Sequence, residues 1–223
     1  MLLKDNGYNY IYFSKLETSL RSAYRSDIFY FLYNLIYEYP FFTGWYESLF
    51  GNENNIQKER EIIVCEYKSK IVGVAILKAT KTENKICTLR VAEDFRRIGI
   101  GKELFNRSLE WLEDEKPLIT IHKRQEEQFS HLLDYFDFKL EQKKLGYYSL
   151  FSTELVYNGE LKGRNIVLNK LEKVNLEETI RKKLAEGSKG FIPNLKEAID
   201  RQLTMVYKFF EDNNNYYTRK MKG

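Results

Sequence analysis

Residues 96–101, Arg-Arg-Ile-Gly-Ile-Gly, stand between a short β-compatible run, residues 86–91, and a segment whose apolar positions recur at Leu104, Phe105, Leu109 and Leu112, with Ser108 on the same face. The spacing before the loop suits a strand and the spacing after it suits a helix. Two glycines at the start of a helix let the backbone turn tightly. They bring the free N–H groups of the first turn close to a ligand with no side chain in the way. Such a helix start attracts anions. A P-loop is excluded, because Arg96 stands where its first glycine belongs and Glu103 where its Ser or Thr belongs. A dinucleotide fingerprint is excluded as well, because Leu104 takes the place of the third glycine.

The flanking segments continue the pattern. Residues 61–67 cluster apolar side chains, Lys68-Ser69-Lys70 turns the chain, and residues 71–77 return. A second polar turn over residues 80–84 leads into the run at 86. Three strands joined by short polar connections form an antiparallel meander. After the helix, residues 117–122 read as a fifth strand. Phe129, Leu132, Leu133 and Phe136 then place one buried face on a short helix, and residues 139–144 and 147–157 read as two further strands.

Taken together, Arg96, Gly99 and Gly101, the apolar-x-Val pair Leu89 and Val91, the following Glu93-Asp94-Phe95 and the return strand Lys70-Ile71-Val72-Gly73 resemble the coenzyme signature of the GNAT superfamily of acyl-CoA-dependent N-acetyltransferases. The resemblance covers about residues 10 to 158 and is densest from 61 to 122. It implies a mixed, mostly antiparallel twisted sheet flanked by helices, an α/β (α+β) domain over residues 1–158. It also implies acetyl-CoA as acyl donor and an amine as acceptor, which attacks the thioester directly in a ternary complex. The backbone of Leu89, Arg90 and Val91 would pair with the pantetheine arm, with the Val91 N–H facing the oxyanion. The loop Arg96, Arg97, Ile98, Gly99, Ile100, Gly101 and Lys102 would hold the pyrophosphate.

Three family positions are altered. Leu133 replaces a tyrosine commonly found five residues before the corner phenylalanine, here Phe138. Glu126 replaces an asparagine, and Asp137 replaces the corner glycine. His122, at the end of the fifth strand, is the remaining candidate proton carrier, since imidazole titrates near neutrality. The altered positions keep a second reading open, a catalytically weak GNAT-like module that binds protein or nucleic acid.

With 43% hydrophobic residues, the 223-residue chain can build one substantial core plus an appendage. Its only cysteines, Cys65 and Cys87, fall inside predicted strands, which argues against a disulfide framework and for a reducing compartment. No apolar run is long enough for a membrane span, and residues 1–10 lack a basic head followed by an apolar core. The expected location is the cytoplasm. His122 and His131 form no cluster with metal-ligand spacing, so no metal is expected.

Eleven of the 23 residues from 28 to 50 are aromatic, which predicts a helix apolar on all sides, broken by Pro40 and Gly44. This segment is expected to form core, a dimer contact or one wall of an aromatic acceptor pocket. Residues 159–223 carry 14 basic and 9 acidic side chains, a net of +5, while the remainder nets −1. They are predicted to form a basic helical appendage, with one helix starting near Asn175 and another over about residues 194–212. Packing on the domain, dimerisation and a nucleic-acid contact are all open for it.

Overall fold

The central strands take their position from alternation. Ile62, Val64, Val74 and Ile76 are buried in one apolar cluster, while Ile63, Cys65, Ala75 and Leu77 are buried in another. A strand buried on both faces needs a helical layer on each side. The computed structural model describes residues 7–39, 42–51, 59–148 and 152–162. It contains seven strands: β1 Tyr8–Tyr12, β2 Arg60–Tyr67, β3 Lys70–Thr80, β4 Glu83–Val91, β5 Leu118–His122, β6 Leu140–Leu145 and β7 Thr153–Tyr157. Among the described residues four α-helices accompany them: α1 Thr18–Leu32, α2 Phe42–Ser48, α3 Ile100–Leu112 and α4 Glu126–Tyr135. Helices α1 and α2 cover the first cluster, and α3 and α4 cover the second.

The sheet runs in the order β1-β2-β3-β4-β5-β7-β6. Every pairing is antiparallel except that of β4 with β5. The mixed, mostly antiparallel sheet flanked by helices is the architecture anticipated from the sequence. In β4 the register with β3 slips, so that Leu77 pairs with Ile86 and Ile76 with Thr88, leaving Cys87 as the extra residue of a bulge. Cys65 is fully buried as expected, but the bulge leaves Cys87 only half-buried.

Gly73 seats α3 on the sheet. A β-carbon there would lie 2.9 Å from Leu104 Cδ1 and 3.2 Å from Ile100 Cγ2. Both atoms belong to the helix that begins at the glycine loop, so this contact sets how low the loop sits. Gly73→Val is expected to destabilise the domain by about 1–3 kcal/mol through overpacking. A urea midpoint equal to wild type would show that α3 can ride up at no cost.

The aromatic segment departs from expectation. Helix α1 stops at Leu32, well before Pro40, and continues as a tight turn over Tyr33–Tyr37. Gly44 lies inside α2 and does not break it. The surface of α1 is not apolar and buried all round, because Tyr30 is 68% exposed while Ile28 and Leu32 are fully buried. Strand β7 is shorter than the predicted run over 147–157, beginning at Thr153. The expected helices near Asn175 and over 194–212, and most of the appendage, lie outside the described residues. Among the described residues no helix is long and apolar enough to cross a membrane.

Candidate active site

Strands β4 and β5 share only two register pairs, Lys85 with Leu118 and Ile86 with Ile119. Beyond them β4 runs on to Val91 and β5 to His122 with no rungs between them, so the sheet opens into a wedge. The Ala92 N–H donates to the Val72 carbonyl at 2.8 Å on the β3 side. Backbone alternation therefore turns the N–H groups of Val91 and Leu89 toward the wedge. This is a strand edge inside a sheet, with a spare ladder to offer an extended ligand.

The loop at the mouth of the wedge is shaped by left-handed backbone. Arg97 has φ 63° and Gly99 φ 101°. Left-handed residues interspersed in a turn point successive N–H groups into one concavity, which binds anions. Gly99 serves as the N-cap of α3, and a β-carbon on it would meet nothing within 4 Å. Its role is conformational, and its outer face is open. At Gly101 a β-carbon would meet only Val91 Cγ2, at 3.7 Å. Arg97, Ile98, Gly99 and Lys102 are exposed around the concavity, while Ile100 is buried as the first residue of α3. Arg96 donates from Nε to the Val91 carbonyl at 3.3 Å, which ties the loop to the strand edge. The Lys102 ammonium sits 3.6 Å from the centroid of the Tyr135 ring. An anionic, extended ligand fits this set: spare strand edge, concave amides and arginines at the rim.

A cavity of about 510 Å³ occupies the wedge and continues to the α1–α2 side of the sheet. Leu89, Arg90 and Arg96 line one end, and Tyr39, Phe42 and Trp45 line the other. Three rings of the aromatic segment thus line the cavity, while Tyr46 is fully buried in the core. Arg60, Lys85 and Cys87 complete the far end; Arg60 is 3.8 Å from the Cys87 sulfur and Lys85 Nζ donates to the Tyr148 hydroxyl at 3.0 Å. Lys78 and Glu83 form an ion pair at the same rim.

His122 lines this cavity at the end of β5, only 8% exposed. Burial lowers its pKa, against the opposing effect of Glu38. The Arg124 N–H donates to His122 Nδ1 at 3.1 Å. With that lone pair occupied, the neutral ring carries its hydrogen on Nε2 and presents a donor to its surroundings. The proton-accepting role expected for His122 therefore meets an obstacle, because neither ring nitrogen offers a free lone pair.

Sequence reasoning missed Glu154. It lies directly across from His122 in the β5–β7 register and is fully buried. Among the described residues neither carboxylate oxygen has a hydrogen-bond partner. Burial pushes its pKa up to about 7, with Lys85 opposing and Glu38 reinforcing the shift. Nothing local in Thr-Glu-Leu-Val-Tyr marks the glutamate as buried, because its surroundings come from β5, β6, Lys85 of β4 and the segment after α1.

The altered family positions also have visible consequences. Leu133 is buried in the core and no hydroxyl from that position reaches the wedge, while Tyr135 is 63% exposed. Asp137 adopts φ 50°, the left-handed conformation a glycine would supply. Aspartate tolerates it, so the corner is kept. His131 is exposed on α4, and the described residues hold no group of side chains suited to a metal ion.

Residues 45–139 match the family model described as Acetyltransferase (GNAT) domain. The chain is similar in structure to nourseothricin acetyltransferase, at 14% identity and a TM-score of 0.42, over 45% of this chain and 65% of that one. It is also similar to a GNAT family acetyltransferase from Elizabethkingia anophelis with acetyl-CoA bound, at 18% identity and a TM-score of 0.39, over 49% and 81% of the two chains. A third is the ribosomal-protein-S18-alanine N-acetyltransferase from Escherichia coli, at 15% identity and a TM-score of 0.40, over 50% and 76%. No curated protein sequence matches the chain.

Proposed function

We propose that this chain, whose residues 45–139 match the model of a GNAT acetyltransferase domain, transfers the acetyl group of acetyl-CoA to the amine of an acceptor by direct attack within a ternary complex. The observation that carries this reading is the continuity of one cavity from Leu89, Arg90 and Arg96 at the loop end to Tyr39, Phe42 and Trp45 at the aromatic end. A donor held at one end and an acceptor at the other meet without a covalent enzyme intermediate.

The thioester supplies an activated carbonyl and a thiolate leaving group, and the chain's own groups do the rest. Backbone N–H groups of residues 97–102 hold the pyrophosphate at the start of α3, with the helix dipole aiding. The free edge of β4 from Leu89 to Val91 aligns the pantetheine arm as a strand. The Val91 N–H points into the wedge and donates to the oxygen on which negative charge develops. Arg96, Arg97 and Lys102 add positive charge near the phosphates. On the acceptor side, the rings of Tyr39, Phe42 and Trp45 exclude water and accommodate an ammonium by cation–π attraction.

Isothermal titration with acetyl-CoA, and in parallel with desulfo-CoA and ATP, tests the reading. Acetyl-CoA is expected to bind and ATP to leave no heat; absence of acetyl-CoA binding overturns the assignment. An amine panel, including small metabolites, polyamines and peptide N-termini, then identifies the acceptor.

A further inference from the structure

Strands β2, β3 and β4 carry a row of three cations. Arg60 pairs with Lys78 in the register of β2 and β3, and Lys78 pairs with Lys85 in that of β3 and β4. Residues directly opposite in an antiparallel pair leave the sheet on the same face. Alternation puts the row on the face of Ile62, Val64, Val74 and Ile76, which α1 and α2 cover. All three cations line the cavity. Like charges set directly opposite one another weaken a sheet, so such a row calls for an anion. We propose that it is the subsite for a carboxylate on the acceptor, which makes the acceptor an elongated amine with an acidic group at its far end. This rests on the acetyl-transfer reading above.

The protein's own acids leave two of the cations uncompensated. Lys78 forms an ion pair with Glu83. Among the described residues no carboxylate forms an ion pair with Arg60 or Lys85. Glu38, also in the cavity lining, accepts from Gln125 Nε2 at 3.0 Å. Glu154 feels the charge of Lys85 but lies outside the lining.

Lys85 is only 7% exposed, and its Nζ donates to the Tyr148 hydroxyl at 3.0 Å. That hydroxyl satisfies one N–H of the ammonium and keeps its own hydrogen to donate. Arg60 aims a guanidinium nitrogen at the Cys87 sulfur, 3.8 Å away, which is a weak acceptor. Burial raises the Cys87 thiol pKa, and Lys85 and Arg60 both oppose that rise, so the two cationic heads converge on one sulfur. A buried cation among neutral partners is costly unless an anion joins it. A carboxylate lying between the two heads meets donors from Arg60, Lys85 and Tyr148.

The row also sets the length of the acceptor. Within β4, Cys87 and Val91 are separated by about 13 Å of extended strand. A carboxylate at the row and an amine at the thioester therefore lie roughly 10 Å apart, too far for the two groups of an α-amino acid. The rings of Tyr39, Phe42 and Trp45 suit a hydrocarbon spacer between them.

ω-Aminooctanoate has this reach, and ω-aminooctanamide has the same length and the same amine with a neutral end. Isothermal titration of each into the full chain, saturated with desulfo-CoA and separately without coenzyme, reads the subsite. Wild type is expected to bind the carboxylate roughly ten- to a hundredfold more tightly than the amide, through charge-assisted hydrogen bonds. It should also acetylate the carboxylate with the higher kcat/KM. Arg60→Gln and Lys85→Met should each shrink the affinity ratio severalfold, and Arg60→Lys should preserve most of it. Glu83→Gln removes the acid paired with the row and should enlarge it. Acetyl-CoA affinity should match wild type in all four variants, since the glycine loop is remote from the row.

A wild type that binds the two compounds equally, binds neither, or acetylates the amide more efficiently overturns the proposal, whatever the variants do. Equal losses for both compounds in Arg60→Gln and Lys85→Met, with the ratio intact, give the row a structural role and overturn it as well. The acetyl-transfer reading fails separately. If acetyl-CoA does not bind while ω-aminooctanoate still binds more tightly than the amide without coenzyme, the carboxylate subsite stands and the coenzyme assignment falls.

Discussion

Gly99→Val is expected to weaken acetyl-CoA binding roughly ten- to a hundredfold, the equivalent of imposing about 1–3 kcal/mol of left-handed strain on a β-branched residue. Nothing crowds the new side chain, since a β-carbon at Gly99 meets no atom within 4 Å. The cost is conformational. Valine escapes it by rotating φ away from 101°, and that rotation turns the first free amides of α3 out of the concavity. The core is untouched, so the thermal midpoint should move by only a few degrees. Gly101→Ala is the natural control. Its β-carbon meets only Val91 Cγ2, at an ordinary 3.7 Å, and no left-handed φ is required. Any affinity lost at Gly101 therefore measures how near the ligand lies. Titration of both variants with acetyl-CoA decides the matter, and unchanged affinity in Gly99→Val removes the loop from the binding site.

Phe105→Ala is expected to cost about 3–5 kcal/mol of folding stability. The ring is fully buried on α3, stacked on Phe136 with centroids 4.6 Å apart and edge-on to Phe138 at 5.1 Å. It joins the loop-bearing helix to the end of α4 and to the corner that starts β6. Its removal opens a cavity between these three elements. Urea unfolding followed by far-UV circular dichroism measures the loss. A shift of under about 1 kcal/mol would mean that Phe136 and Phe138 collapse into the space.

The strand–loop–helix unit was legible because its signals are local. Residues 86–91, the two glycines and the stripe through Leu104, Phe105 and Leu112 lie within one stretch of chain. The meander before it was legible for the same reason. The end of the cavity lined by Tyr39 and His122 was less so. Tyr39, Lys85, His122, Tyr148 and Glu154 are brought together only by the order in which β5 and β7 enter the sheet. Glu154 drew no reading from the sequence, since no local pattern reveals that β5 and β6 will flank it in the sheet. Likewise the bulge at Cys87 depends on how β4 registers with β3, a property of two strands and not of either alone. The aromatic segment misled because its rings divide between core, cavity and solvent, and composition does not say which ring goes where.

The two-rung join between β4 and β5 divides the sheet into a leaf built from β1 to β4 and a leaf built from β5 to β7. Few backbone bonds couple the leaves, so in the absence of ligand their amides should exchange with solvent as two separate cooperative units, linked chiefly through α3. A donor molecule lying in the wedge as an extra strand acts as a splint across that seam. Its binding energy then appears as cooperativity: with acetyl-CoA bound, the leaves open together or not at all.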